Sequence, residues 1–149
     1  MTFKKILCPV DFSDNSREAM HVAVELARTS QAMLVLLHVW DPPSWMTDYG
    51  IRLPNDALLE AQGLEEKKLG AWRADAQRLG ASEVSSQLLR GAPWDQIVSA
   101  AGEDPRIDLI VMGTHGRTGL ARALIGSVAE RVVRHAPCTV LVIRGRKGG

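Results

Sequence analysis

The sequence alternates apolar runs with amphipathic segments along its whole length, and this alternation constrains the fold more than any other feature. Four runs rich in Val, Ile and Leu predict buried strands. They are Phe3–Cys8, Ala32–Val39, Asp108–Met112 and Thr139–Arg144. A weaker fifth run, Glu83–Leu89, has polar residues at its centre and is predicted to form an edge strand. Nearly continuous apolarity is typical of parallel strands that are covered on both faces.

Between the strands, apolar residues recur at the three- and four-residue spacing of amphipathic helices. Asn15, with Glu18 three residues later, predicts the start of the first helix as a capping box. The second helix is predicted to stop at Gly80, the third to hold Pro93 in its first turn, and the fourth to begin at Ser127. The residues predicted to face the core are Ala19, Val22, Ala23, Leu26 and Ala27 in the first helix; Leu58, Ala61, Leu64, Leu69, Trp72, Ala76 and Leu79 in the second; Ile97, Val98 and Ala101 in the third; and Val128, Ala129, Val132 and Val133 in the fourth.

Strict alternation of strands and helices requires parallel crossover connections, which are right-handed in nearly every case. The sequence therefore predicts one α/β domain over residues 1–149, built on a doubly wound, Rossmann-like sheet of five parallel strands with helices on both faces. We expect the strand order 3-2-1-4-5 and a disordered tail at residues 145–149. In such sheets ligands bind at the carboxyl ends of the strands, where the strand order reverses. Strand 1 ends at Pro9-Val10-Asp11 and strand 4 at Gly113, so these ends are expected to flank one crevice.

The charge and the two termini argue against several classes of protein. Eighteen Lys and Arg residues against seventeen Asp and Glu give a formal charge of +1, so no general attraction to nucleic acid or to an anionic membrane is expected. The N-terminal residues have too few consecutive apolar side chains for a signal peptide or a membrane span, and we expect a cytoplasmic protein. Cys8 and Cys138 belong to no C-x-x-C pair and are predicted to be buried, reduced thiols.

The segment GTHGRTGLARALIGS, residues 113–127, follows the fourth strand directly and brings several glycines to the start of the last helix. Backbone N–H groups and the positive end of a helix dipole favour phosphate at such a junction, and glycines allow close approach to the main chain. A structural interpretation competes with this one, because Ser127 and Glu130 form an S-x-x-E capping box that needs no ligand. Neither a P-loop nor a G-x-G-x-x-G fingerprint is present, so spacing alone leaves both interpretations open.

Three further stretches carry a family resemblance that covers almost the whole chain. They are ILCPVDFSDNSREAMHVAVELA, LVLLHVW and DLIVMGTHGRTGLARALIGSVAERVVRHAPCTVLVIR. Together they resemble the universal stress proteins. Members of that family that bind ATP carry G-x2-G-x9-G-[ST], and this sequence matches the pattern at Gly113, Gly116, Gly126 and Ser127. The resemblance therefore implies an ATP-binding universal stress protein.

The resemblance also implies a role for each part of the site. The backbone around Gly113, Gly116, Gly126, Ser127 and Val128 would hold the phosphates and ribose. Asp11 would meet a ribose hydroxyl or a divalent ion, Mg or Mn, bound to the nucleotide. The backbone of Val39 would contact adenine. The apolar wall beside it would be Pro9, Val10 and Met112.

Two charged or titratable side chains in the glycine segment are further candidates for phosphate contacts. His115 could donate to a phosphate, although a solvated loop histidine is the commoner outcome. Arg117 carries a permanent charge that suits phosphate, but an ordinary surface arginine is an equal alternative. Because the chain has no lysine of the P-loop kind, we expect binding with slow or negligible hydrolysis.

The last strand, Cys138–Arg144, is expected at a sheet edge, where an apolar strand invites pairing with another chain. The resemblance implies a homodimer formed by antiparallel pairing of this strand with its copy; burial under the chain's own termini is the alternative. The expected function is that of a dimeric regulator or sensor of the stress response that binds ATP. A nucleotide-independent protein-interaction module is the rival, and an ATP-consuming enzyme is a third possibility.

Overall fold

Five strands and four helices alternate along the part of the chain that the computed structural model describes, which comprises residues 2–41, 50, 54–115 and 125–145. In chain order they are β1 (Lys5–Pro9), α1 (Asp14–Ser30), β2 (Met33–Trp40), α2 (Asn55–Arg78), β3 (Glu83–Arg90), α3 (Pro93–Glu103), β4 (Ile107–Gly113), α4 (Ser127–His135) and β5 (Thr139–Ile143). Each predicted strand is present, with its ends moved by one or two residues, a shift that is ordinary for element boundaries.

The strands form one parallel sheet in the order β3-β2-β1-β4-β5, which confirms the predicted fold class and strand order. Lys5 pairs with Met33 of β2, and Leu109 of β4 pairs with Thr139 of β5. The strand order reverses between β1 and β4, so the carboxyl ends of these two strands are neighbours at one edge of the sheet. Glu83–Arg90 lies at one edge of the sheet, as predicted, and β5 lies at the other.

Successive strand residues face opposite sides of the sheet, and both sides are covered. In β1, for example, Ile6 and Cys8 pack under α1 and α2, whereas Leu7 packs under α3 and α4. The same division holds in β2, where Leu34 and Leu36 face one helical layer and their neighbours face the other. Because each face needs apolar side chains, the sequence of a central strand is apolar at every position rather than at every second one.

Both predicted capping boxes are misplaced. The N-cap of α1 is Ser13, whose Oγ accepts a hydrogen bond from the Ser16 N–H at 3.2 Å, and Asn15 lies inside the first turn. The N-cap of α4 is Gly126, so Ser127 is already the first helical residue. An N-cap residue lies just before the first helical residue, and its side chain accepts a hydrogen bond from an N–H of the first turn. Asn15 and Ser127 are themselves helical residues, so neither is the cap.

The ends of two other helices follow the sequence closely. Helix α2 stops at Arg78, and Gly80 follows in a left-handed conformation, φ +114°, that favours glycine. Its neighbour Ala81 donates to the Ala76 carbonyl at 3.2 Å, which closes the helix end. Pro93 is the first residue of α3, where its missing N–H removes no helical hydrogen bond.

The core-facing stripes are less well predicted than the helices themselves. Helix α1 buries Met20 and Val24 in addition to three of the predicted alanines, while Val22 and Leu26 are only half-buried. In α2 and α4 some predicted core residues are exposed. They are Leu64 at 58%, Leu79 at 44% and Val133 at 50% of their full accessible surface. The residues that α2 buries are Leu69, Trp72 and Ala76, so apolar periodicity in its N-terminal half does not correspond to burial.

The two cysteines differ in their environment. Cys8 is fully buried, as predicted, and burial raises its pKa to about 12. Cys138 is only half-buried, contrary to the prediction; partial burial and the nearby Asp108 carboxylate raise its pKa. Neither forms a disulfide. In the described part of the chain, no helix combines the length and the apolarity that a membrane crossing requires.

We predict that Ser13→Ala lowers the free energy of unfolding by about 1 kcal/mol, the usual cost of removing a serine cap. Denaturant unfolding measures this, with Ser85→Ala on the exposed side of β3 as the matched control. Equal stability of the two variants would contradict the assignment of Ser13 as the cap.

We also predict that the native protein reacts with a thiol reagent at one cysteine only. Burial raises the pKa of the Cys8 thiol to about 12, so very little of it is the reactive thiolate at pH 8. Cys138 is therefore modified in the native state and Cys8 only after unfolding, which mass spectrometry of the labelled peptides reports. Rapid native labelling of Cys8 would show that β1 is not buried as described.

Candidate functional site

A cavity of about 300 Å³ opens at the carboxyl ends of β1, β2 and β4. Every predicted site residue in the described part of the chain lines it, whereas Gly116 and Arg117 lie outside the described residues. The predicted lining residues are Pro9, Val10, Asp11, Val39, Met112, Gly113, His115, Gly126, Ser127 and Val128. Seven further lining residues were not predicted from the sequence: Ser16, Leu37, His38, Pro93, Ile97, Thr114 and Ala129.

Some of the missed residues carry a signal in the sequence. Leu37 precedes Val39 by two positions, so the two side chains share one face of β2. Ile97 follows Pro93 by four positions and lies on the same side of α3. Thr114 lies between the predicted site residues Gly113 and His115, so its position in the sequence could have indicated it. The involvement of Ser16 depends on tertiary contacts.

The chain turns sharply after β1 and holds the wall of the cavity by hydrogen bonds to β2. The Val10 N–H donates to the Leu37 carbonyl at 2.8 Å, and the Val10 carbonyl lies 2.7 Å from Nδ1 of His38. Phe12 has φ +66°, which is uncommon for a bulky residue, and its ring packs 4.4 Å from the His38 ring. These contacts fix the end of β1 relative to β2.

His38 is buried and contacts an acceptor through each ring nitrogen. A carbonyl can only accept, so Nδ1 carries the hydrogen that faces Val10. Nε2 lies 3.0 Å from Oε2 of Glu65 on α2. His38 therefore connects the cavity wall at Val10 to Glu65 of α2.

Asp11 lies at the entrance of the cavity, beside the start of α1. Its Oδ1 accepts hydrogen bonds from the Ser13 N–H at 3.0 Å and from the Ser13 hydroxyl at 2.5 Å. Its own N–H donates to Oγ of Ser16 at 3.3 Å. One carboxylate oxygen is thus committed to the turn that starts α1, and the position of the group is well defined.

The first turn of α4 presents main-chain donors to the cavity. Gly126, the N-cap, has no side chain that could bond to the helix, and its N–H donates to the Thr114 carbonyl at 2.6 Å. Ser127, Val128 and Ala129 follow as the first three helical residues, and all three line the cavity. Their N–H groups have no acceptor within the helix, and the positive end of the helix dipole adds to their effect.

Two motif glycines are closely surrounded by protein atoms. A Cβ at position 113 would lie 2.3 Å from Oδ1 of Asn15, and one at position 126 would lie 2.6 Å from the Thr114 carbonyl oxygen. Gly126 has φ −64°, so it is space, not backbone conformation, that requires glycine there. Each of these glycines therefore has a protein neighbour that already requires it.

His115 is held at the beginning of the glycine segment. Its Nδ1 lies 2.9 Å from Oγ1 of Thr114, and its backbone N–H donates to Oδ1 of Asn15 at 2.8 Å. Its Nε2 is buried and has no hydrogen-bond partner among the described residues. The ring therefore retains one polar atom whose hydrogen-bonding capacity is unused there.

The cavity combines apolar walls with a polar end. Its titratable lining residues are Asp11, His38 and His115, and none of the described lining residues is Lys or Arg. Across residues 2–41, 54–115 and 125–145, no three His, Cys, Asp or Glu side chains converge as a metal site would require. The positive potential for an anion would come, in this part of the chain, from the first turn of α4.

The family model that matches the sequence, over residues 2–144, is described as the universal stress protein family. The chain belongs to this family. A universal stress protein of Methanocaldococcus jannaschii is 38% identical over 97% of this chain and 84% of its own length. This universal stress protein also superposes on UspA from Lactobacillus plantarum with a TM-score of 0.80, at 33% identity and with 97% and 99% of the two chains covered.

Two other solved universal stress proteins contain adenine nucleotides. One is a complex with cAMP, with a TM-score of 0.69 and 26% identity over 97% of this chain and 98% of the other. The second, from Archaeoglobus fulgidus, is a complex with dAMP, with a TM-score of 0.68 and 26% identity over 96% of this chain and 99% of the other.

We predict that Gly126→Ala destabilises this universal stress protein by about 1–3 kcal/mol, because the added methyl group must displace the Thr114 backbone. Gly70→Ala, in α2 with open space around the new methyl group, is the matched control and is expected to stabilise by up to about 1 kcal/mol. Thermal unfolding of both variants measures the difference. If Gly126→Ala were as stable as Gly70→Ala, the close contact with Thr114 would be wrong.

Proposed function

We propose that this universal stress protein binds ATP in the cavity at the carboxyl ends of β1, β2 and β4. The observation that carries the proposal is the junction of an apolar cavity with the first turn of α4, where Ser127, Val128 and Ala129 line the wall. An apolar cavity of about 300 Å³ suits a base and a sugar, and unpaired N–H groups suit phosphate. A nucleotide needs an apolar surface for its base and sugar and, next to it, N–H donors for its phosphates.

The adenosine would lie against the β1 and β2 side of the cavity. The backbone of Val39 would contact adenine, with Pro9, Val10 and Met112 as apolar walls. The Asp11 carboxylate, fixed by Ser13, would accept from a ribose hydroxyl or contact Mg or Mn bound to the nucleotide. An oxygen ligand of this kind is what Mg²⁺ prefers.

The phosphates would lie at the start of α4. The main-chain N–H groups of Ser127 and Val128, which follow the N-cap Gly126, would bind them, and His115 would contribute a side-chain donor. Gly113 lines the cavity, and the family resemblance suggests that Gly116 and Arg117, which lie outside the described residues, would also contact phosphate. Each exposed interaction with a helix dipole contributes about 0.3–1 kcal/mol, so several must act together.

The related structures support an adenine nucleotide rather than an unspecified anion. The ligands cAMP and dAMP of two solved family members share an adenine base, a sugar and a phosphate. The base and sugar match the apolar walls of this cavity, and the phosphate matches its polar end at the first turn of α4. We extend the ligand to ATP because the glycine spacing of this chain is the one that the ATP-binding members carry.

We further propose that the protein is a cytoplasmic, homodimeric regulator or sensor of the stress response, with slow or no ATP hydrolysis. The dimer would form through Cys138–Arg144. In the described sheet β5 is an edge strand, and its Leu141 is 37% exposed although the residue is large and apolar. ATP occupancy would then be the signal that the dimer reports to a partner protein.

A nucleotide-independent interaction module remains the second candidate function. The observation that favours it is that Gly113 and Gly126 are both accounted for by contacts with Asn15 and Thr114. Under that function the glycines only allow close packing, and the cavity needs no ligand.

We predict that Ser127→Asp weakens ATP binding and leaves the fold intact. A carboxylate at the first residue of α4 interacts favourably with the helix dipole, so the melting temperature stays the same or rises. The same charge repels phosphate, and the ATP dissociation constant rises at least about tenfold, which corresponds to 1.4 kcal/mol. Isothermal titration calorimetry with ATP and with adenosine measures this, and Ser127→Asn is the neutral control of similar shape.

The outcomes separate the two functions. Weak ATP binding by Ser127→Asp, with normal adenosine binding and a normal Ser127→Asn control, supports the proposal. If the parent protein binds neither ATP nor adenosine, and releases no nucleotide when it is denatured after purification, the interaction module is the better description. Phosphate release at about one per second or faster would contradict slow turnover.

A further inference from the structure

We infer that Asn15 is a positioning residue of the nucleotide site, because its carboxamide fixes the entry of the glycine segment at His115 and ties it to the end of β5. The inference rests on the proposed function and adds a residue that lies outside the glycine motif. Asn15 does not line the cavity. It acts through the backbone that does.

The carboxamide bridges two segments that are far apart in sequence. Its Oδ1 accepts from the His115 N–H at 2.8 Å, and its Nδ2 donates to the Ile143 carbonyl at 3.4 Å. The Thr114 N–H donates to the same Ile143 carbonyl at 3.0 Å. One side chain in the first turn of α1 thus connects that helix to the exit of β4 and to the last residue of β5.

The partners of Asn15 define which chemistry the position requires. A backbone N–H can only donate and a carbonyl can only accept, so the side chain must offer an acceptor to His115 and a donor to Ile143. A carboxamide offers both. An aspartate would place a carboxylate against the Ile143 carbonyl, and an apolar residue would leave both backbone groups without this partner.

The backbone encloses this side chain closely. A Cβ at position 113 would lie 2.3 Å from Oδ1 of Asn15, and one at position 145 would lie 2.9 Å from Nδ2. Glycine at position 113 therefore leaves room for the carboxamide. The first glycine of the motif and Asn15 form one packing unit, although they are nearly a hundred residues apart.

This unit sets the position of the phosphate end of the cavity. Asn15 holds His115, and the Thr114 carbonyl of the adjacent residue accepts from the Gly126 N–H at 2.6 Å. Gly126 in turn begins α4, whose first turn presents the N–H groups. A loosened Asn15 contact changes the spacing between the β4 exit and α4, whereas the β2 side of the cavity, at Leu37 and Val39, keeps its own hydrogen bonds.

The test compares ATP with adenosine for the parent protein and for Asn15→Ala, by calorimetry at a temperature at which both are folded. We expect the ATP dissociation constant of Asn15→Ala to rise at least about tenfold, the effect of losing a few well-placed interactions, with the adenosine constant unchanged within about twofold. Asn55→Ala, at the exposed start of α2, is the matched control and should bind both ligands normally.

Two results would overturn the inference while the proposed function stands. One is parental ATP affinity in Asn15→Ala; the other is an equal loss for ATP and adenosine, which a merely destabilising residue would cause. If the parent protein binds neither ligand, the proposed function itself fails. If Asn15→Ala does not fold, Asn15→Asp keeps an acceptor for the His115 N–H and removes the donor to the Ile143 carbonyl; parental ATP affinity in that variant would also overturn the inference.

Discussion

Parallel pairing of the strands is the constraint on which the rest of this structure depends. When all strands run in one direction, each strand must be followed by a crossover, and each crossover helix begins at the carboxyl edge of the sheet. The starts of α1, α3 and α4 therefore gather around one cavity together with the ends of β1, β2 and β4. The same constraint makes the central strands apolar on both faces, because helices cover both. The position of the cavity and the apolar character of the core therefore both follow from the parallel arrangement of the strands.

The glycines of the motif illustrate how packing and binding can require the same residue. Gly113 makes room for the Asn15 carboxamide, and Gly126 makes room for the Thr114 carbonyl. At Gly113 the main chain lies close to the Asn15 side chain, and at Gly126 it lies close to the Thr114 main chain. These close approaches place the first turn of α4 at the cavity. A glycine spacing that is typical of nucleotide binding can thus be necessary for the geometry of the binding surface as well as for the approach of a ligand. A substitution at either glycine disturbs the fold and the site together, whereas Ser127 can change the charge of the site alone.

Much of the fold could be predicted from the sequence because it depends on local pattern. Continuous apolar runs marked the central strands, Gly80 marked the end of α2, and Pro93 marked the start of α3. The cap of α1 could not be assigned in this way, because Ser13 and Asn15 are both good cap residues and the sequence does not say which is available. Asn15 is not available, since its side chain bonds to His115 and Ile143. The predicted site residues that the structure describes all line one cavity. His38 was not predicted to line it, because its position depends on Val10 and Glu65, which reach it only in the folded chain.

The end of β5 is joined to two other segments through one carbonyl oxygen. The Ile143 carbonyl receives hydrogen bonds from the Thr114 N–H and from the Asn15 carboxamide, so one oxygen atom joins the edge strand to the β4 exit and to α1. A carbonyl has two lone pairs, and both donors can be satisfied at once only while the three segments keep their present spacing. A displacement of the last residue of β5 must therefore stretch at least one of these bonds. Because the Thr114 carbonyl also accepts from the Gly126 N–H, one further hydrogen bond connects Thr114 to the N-cap of α4. Hydrogen bonds therefore connect the edge strand β5 to the polar end of the cavity, although no residue of β5 lines the cavity.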